Sequence, residues 1–206
     1  MTPQIDATFT PAEERRGTAP FVIAAIAVSV LFLGWVLLSR GPAASQIAAP
    51  ATAALQVGSK APDFTTTGAV GGKAFKLHLA QQLKKGPVVL YFFPKAFTSG
   101  CTAEAHAFSE SIGDFKKAHA QVIGMSADEF PVLKDFSVKE CRSAFPVATA
   151  TPATQKAYDV AWAAHPGITT RTSYVIDRHG KVVMVHDDLD FSEHVAKTLA
   201  AVRALK

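Results

Sequence analysis

Val88-Val89-Leu90-Tyr91-Phe92-Phe93-Pro94-Lys95-Ala96-Phe97-Thr98-Ser99-Gly100-Cys101 is the stretch that decides the fold. Its first six residues are apolar, β-branched or aromatic, which reads as a buried strand. Beyond Cys101 the chain continues Thr102-Ala103-Glu104-Ala105-His106-Ala107-Phe108, with apolar positions at helical spacing. The sulfur of Cys101 therefore falls where a strand hands over to the first turn of a helix. Unpaired N–H groups and the positive end of the helix dipole favour thiolate over thiol at such a place. A dithiol redox centre at this junction carries C-x-x-C, but Thr98 stands where the first cysteine would be.

Outward from this junction, Phe64–Thr67 and Phe75–His78 are expected to form a hairpin around Gly68 and Gly71-Gly72. A helix is expected from Cys101 to His119, a strand at Gln121–Ser126 and a helix at Glu129–Glu140. Phe145–Ala148 reads as a short extended segment. Thr151-Pro152 opens a helix running to Tyr158, proline being tolerated at the first helical position. Strands at Arg171–Ile176 and Lys181–His186 flank the turn Asp177-Arg178-His179-Gly180. Ser192–Leu205 closes the chain as an amphipathic helix, with Asp187-Asp188-Leu189-Asp190 as its cap region.

The pattern Pro94-x-x-x-Thr98-x-x-Cys101 at a strand-to-helix turn resembles the peroxiredoxins. More narrowly, Tyr91 to Ala105 resembles the bacterioferritin-comigratory-protein, or peroxiredoxin Q, branch. Further matches follow in family order: Val57-Gly58-Ser59-Lys60-Ala61-Pro62-Asp63-Phe64, then Arg171-Thr172-Ser173-Tyr174-Val175-Ile176-Asp177, then Gly180-Lys181-Val182. The resemblance implies an α/β, thioredoxin-like fold with a central mixed sheet flanked by helices. It implies a thiol-dependent peroxidase acting on hydrogen peroxide and organic hydroperoxides, with a thioredoxin-like or other thiol reductant as partner.

Carried over position by position, the resemblance makes Cys101 the peroxidatic cysteine and Thr98 the hydroxyl touching sulfur and peroxide. Pro94 shields the site, and Arg171 supplies positive charge beside the sulfur. The chemistry asks for such neighbours, because a thiol with a pKa near 8.5 is mostly protonated at pH 7. Charge building on the departing peroxide oxygen is stabilised by fixed N–H groups and a guanidinium. Glu104 matches a family position and is read either as an aid to an arginine or as a favourable acid in the first turn.

Many members of this branch carry a resolving cysteine five residues after the peroxidatic one, where this chain has His106. The other thiol is Cys141, near the end of the 129–140 helix. Because some relatives place the resolving thiol on this later helix, the resemblance favours an intramolecular Cys101–Cys141 disulfide. Forming it is expected to require local unwinding, since the two Cα atoms must approach within about 7 Å. Two alternatives stay open: a one-cysteine peroxidase with Cys141 merely buried, and a tethered thioredoxin-fold interaction domain with a structural Cys101–Cys141 crosslink. A disulfide reductase or copper-delivery protein would need C-x-x-C or C-x-x-x-C, which Phe97 and Thr98 exclude.

From Phe21 to Leu38 the chain has eighteen residues without a charge. As a helix this spans about 27 Å, enough for a hydrocarbon core. Residues 1–20 read as a short tail, 21–39 as a transmembrane signal-anchor, 40–56 as an Ala/Pro-rich linker and 57–206 as the catalytic domain. Arg15 and Arg16 precede the span and Arg40 follows it, which places the domain outside the cytoplasm. The formal net charge is +4, and all of it falls after Arg40. The surplus reads as spread out, without the dense basic stripe of a nucleic-acid binder. The histidines show no metal-ligand spacing, so neither a metal nor another cofactor is expected.

Overall fold

The computed structural model describes residues 55–205. The expected tail and span, with most of the 40–56 linker, lie outside the described residues. No helix among those described is long and apolar enough to cross a membrane.

The elements run β1 (Thr65–Val70), β2 (Lys73–His78), α1 (Leu79–Leu83), β3 (Val88–Phe92), α2 (Ser99–Lys117) and β4 (Gln121–Ser126). They continue with α3 (Phe130–Lys139), β5 (Val147–Thr149), α4 (Pro152–Ala157), β6 (Thr172–Ile176) and β7 (Val182–Asp187). A 3₁₀ turn at Phe191–Glu193 leads into α5 (His194–Arg203). Among the described residues the strands form one mixed sheet in the order β2-β1-β5-β4-β3-β6-β7. This is the thioredoxin-like arrangement that the resemblance implies. β3 lies in its interior, parallel to β4 and antiparallel to β6.

The interior position explains the composition of β3. Val89, Tyr91 and Phe93 face one core layer, while Val88, Leu90 and Phe92 face the other. A strand covered on both sides has no polar face, hence the unbroken apolar run. Cys101 and Cys141 both belong to the Tyr91 layer, together with Phe108 and Phe115 of α2 and Leu133 and Phe136 of α3. Tyr91 stacks on Phe108 with ring centroids 4.3 Å apart. Each such aromatic contact adds about 0.5–1.5 kcal/mol beyond the area it buries.

Several boundaries differ from expectation. Gly68 is a strand residue of β1 paired with Phe75, and Gly71-Gly72 alone makes the turn, both at positive φ. α2 begins at Ser99, two residues before Cys101, because Thr98 is the extended residue that caps it. α1 was not expected: it is one short turn packed through Leu79 and Leu83. Arg171 stands immediately before β6 rather than within it. The basic residues, dispersed along the sequence, partly converge in space. Lys85, Lys117, His119, Arg178 and His179 line one cleft.

Candidate active site

Cys101 occupies the third position of α2 and is 2% exposed. The first helical hydrogen bond at this end runs from the Thr102 N–H to the Thr98 carbonyl. The N–H groups of Ser99, Gly100 and Cys101 therefore precede the helical ladder and point toward the sulfur's end of the helix. Two anchors hold the preceding loop. The Ala96 N–H donates to Asp128 Oδ2 at 2.7 Å, and the buried Thr169 hydroxyl donates to the Phe93 carbonyl at 2.8 Å. Phe97, between these anchors and the cap, has φ of 63°, a strained value for an aromatic residue.

Arg171 closes the site from the position just before the neighbouring strand β6. Its Nη2 lies 3.5 Å from Cys101 Sγ, its Nη1 donates to Glu104 Oε2, and its Nε donates to the Leu189 carbonyl at 2.9 Å. Each nitrogen of the guanidinium is thus committed to a separate partner, which fixes its plane beside the sulfur. Gly100 permits the approach: a Cβ there would lie 3.3 Å from Arg171 Nη2. Glu104 is fully buried one turn below Cys101. Burial drives its carboxyl up to about 8 against the pull of Arg171.

The predicted residues do not all converge. Cys101, Arg171 and Glu104 meet directly. Pro94 begins the turn and is half-buried. Thr98 is exposed, and its hydroxyl donates to the Lys95 carbonyl at 2.9 Å rather than to Cys101 Sγ. Its cap position explains this, since the extended backbone turns the side chain back over its own loop.

Cys141 lies two residues beyond the end of α3, past its cap residue Glu140, and is fully buried. Burial, and then the neighbouring Glu140, pushes its thiol well above the ordinary range. Arg142 and Ser143 follow it with φ of 51° and 58°, two consecutive non-glycine residues in the left-handed region. Both cysteines are free thiols. The buried Tyr91 hydroxyl has no hydrogen-bond partner and lies within electrostatic reach of both. His106 Nε2 pairs with Glu140 Oε2 at 2.9 Å.

Sequence inspection passed over Gly100, Asp128, Thr169 and the Leu189 carbonyl. A glycine next to a reactive cysteine was the one visible signal. The others act through main-chain contacts or across many residues, which no local pattern encodes.

With this geometry established, the comparisons with known proteins are consistent. A family model described as the AhpC/TSA family matches residues 57–185. Peroxiredoxin Q, chloroplastic, from Oryza sativa subsp. japonica is 33% identical over 149 residues, covering 72% of this chain and 67% of that protein. The Arabidopsis thaliana peroxiredoxin Q is 32% identical over 148 residues, covering 71% and 67%. Among solved structures, peroxidoxin BcpB from Mycobacterium tuberculosis superimposes with a TM-score of 0.67 at 28% identity, covering 74% of this chain and 99% of that one. A Xanthomonas campestris peroxiredoxin Q gives 0.59 at 26% identity, covering 67% and 89%. The chain belongs to the peroxiredoxin family.

Proposed function

We propose that this peroxiredoxin, a thiol-dependent peroxidase, attacks its peroxide through Cys101 and resolves the product through Cys141. The observation that carries the first step is Arg171 Nη2 lying 3.5 Å from Cys101 Sγ at the start of α2. The Cys101 thiolate attacks one peroxide oxygen; an S–O bond forms as the O–O bond breaks. The leaving oxygen takes a proton and departs as water or alcohol, and sulfur keeps a sulfenic acid. Arg171 and the free N–H groups at the helix end meet the charge that develops on the oxygens.

In the second step the Cys141 sulfur attacks the sulfenic sulfur, forming the disulfide and releasing water. Two reducing equivalents from an external thiol then restore both cysteines. Cys141 is held protonated by burial, and a protonated thiol is a poor nucleophile. Resolution therefore proceeds through local unwinding that exposes Cys141 to water. The strained Phe97 and Arg142-Ser143 backbones on the two cysteine-bearing segments favour that opening. Reacting the full chain with one equivalent of hydrogen peroxide, with and without Cys101→Ser, tests the assignment. The variant should consume none, and retained turnover would refute it.

We further propose that residues 21–39 anchor the chain in a membrane, that 40–56 form a tether, and that the catalytic domain lies outside the cytoplasm. The support is the uncharged apolar run Phe21–Leu38 and the excess of arginine before it. Carbonate extraction of membranes from cells making the full chain, followed by protease access to either side, is the corresponding test. Release into the soluble fraction would rule out the anchor.

A further inference from the structure

We propose that His194 and Glu104 form a buried proton-sharing pair that sets the charge left on Arg171 for Cys101, which makes His194 a positioning residue for peroxide reduction. This rests on the assignment of Cys101 as the attacking sulfur.

His194 opens α5 and is fully buried, as is Glu104 on α2. Glu104 gives Oε2 to Arg171, while its Oε1 has no hydrogen-bond partner and faces His194 Nδ1 at 3.8 Å. The other ring nitrogen of His194 lies 3.0 Å from the Asp188 carbonyl, which can only accept. Nε2 therefore carries a hydrogen, and in the neutral ring Nδ1 is a lone pair accepting from the Ser173 hydroxyl at 2.8 Å. Two acceptors, Glu104 Oε1 and His194 Nδ1, thus confront each other in a dry site. One proton on either atom turns this repulsion into an attraction.

The charge count gives that proton a function. Cys101 thiolate, Arg171 and ionised Glu104 together carry one net negative charge in the protein interior. A proton on the Glu104–His194 pair makes the group neutral, so the positive charge of Arg171 is no longer shared and favours the thiolate. Burial supports this arrangement from both sides, raising the carboxyl of Glu104 to about 8 and lowering His194 to about 4. The remaining groups facing the pair are few. Tyr91 of β3 is within electrostatic reach of Glu104, and Arg171 and Cys101 flank its carboxylate. Ser173 of β6 and the Asp188 loop hold His194, and His186 of β7 packs on its ring at 4.5 Å. His186 itself leaves Nε2 buried without a partner and turns Nδ1 toward Lys197 of α5 at 3.5 Å.

The test is the rate of Cys101 alkylation by iodoacetamide against pH, in the full chain. His194→Asn puts a permanent donor beside Glu104 Oε1 and cannot take up the proton. It should slow alkylation roughly tenfold at pH 6, with less effect as pH rises. Glu104→Gln mimics the protonated carboxyl, so it should leave alkylation near the parent's at pH 6 and speed it as pH rises and the parent's pair loses its proton, and adding His194→Asn to it should change nothing further. A His194→Asn profile superimposable on the parent, or additive effects in the double variant, would overturn the proposal. Histidine-labelled nitrogen NMR of the parent chain provides a measurement independent of any variant's folding. The His194 ring signals should shift when Cys101 is alkylated, and unmoved signals would equally overturn it. Loss of peroxide consumption in Cys101→Ser tests the underlying assignment separately.

Discussion

His106, at the place where many relatives carry their resolving cysteine, pairs its Nε2 with Glu140 at 2.9 Å, and Glu140 is the residue directly before Cys141. The side chain at that place therefore ties down the helix end next to Cys141, the proposed resolving thiol. His106 is one-third exposed and Glu140 somewhat less, so the tie contributes on the order of 0.5 kcal/mol. His106→Ala should release the end of α3 and speed formation of the Cys101–Cys141 disulfide about two- to threefold. Rapid quenching after one equivalent of peroxide, read by mass, measures it. A slower disulfide would show that the pair aids closure rather than restrains it.

Arg171 meets Cys101 only because residue 100 has no side chain. Gly100→Ala would put a methyl 3.3 Å from Nη2 and push the guanidinium by a few tenths of an ångström. The second-order rate with hydrogen peroxide should fall several-fold while the thermal midpoint barely moves. Arg171→Lys, which cannot serve Cys101, Glu104 and Leu189 together, should lose roughly 100-fold. Stopped-flow peroxide consumption separates the two; an unchanged rate in Arg171→Lys would remove the guanidinium from the chemistry.

Tyr91 and Gly124 are a matched pair in adjacent strands. A Cβ at Gly124 would lie 2.9 Å from the Tyr91 hydroxyl and from Val147 Cγ1. Gly124→Ala should cost about 1–3 kcal/mol by overpacking. Tyr91→Phe removes a buried hydroxyl that has no partner, so it should be neutral or stabilising by up to about 1 kcal/mol. Urea denaturation of the reduced chain provides both values.

Cys141 links stability to alkaline pH. Its thiol is raised from an ordinary value of 9.0 by burial, so the folded chain retains a proton that the unfolded chain releases above that pH. The stability this contributes is complete below about pH 9 and is lost as pH rises, by about 1 kcal/mol per pH unit. The gap between the parent and Cys141→Ala should shrink accordingly from pH 9 to 10.5. Buried tyrosines titrate equally in both chains and cancel. A gap independent of pH would mean that Cys141 is already solvated in the folded state.

The strand–turn–helix around Cys101 was legible because it is local: a six-residue apolar run, a proline, a cap and a helical repeat lie in one continuous stretch. The same held for the hairpin at Asp177–Gly180, whose Asp177 carboxylate accepts from the His179 and Lys181 N–H groups. The pairing of β3 with β6, which brings Arg171 toward Cys101, also followed from the order of elements. What escaped is non-local. The Asp128 anchor spans 32 residues and the Thr169 anchor 76. Glu104 was noticed as a first-turn acid, yet its burial against His194, from the far end of the chain, depends on how α5 packs over α2. Thr98 was matched by motif alone, and the cap geometry that turns its hydroxyl toward Lys95 is a property of the folded loop.

The most direct check is the intact mass of the reduced full chain after one equivalent of hydrogen peroxide. The parent should lose two hydrogens as Cys101 and Cys141 join, and Cys141→Ser should instead gain one oxygen at Cys101. A parent that also gains oxygen, with no loss of hydrogen, would contradict the two-thiol cycle.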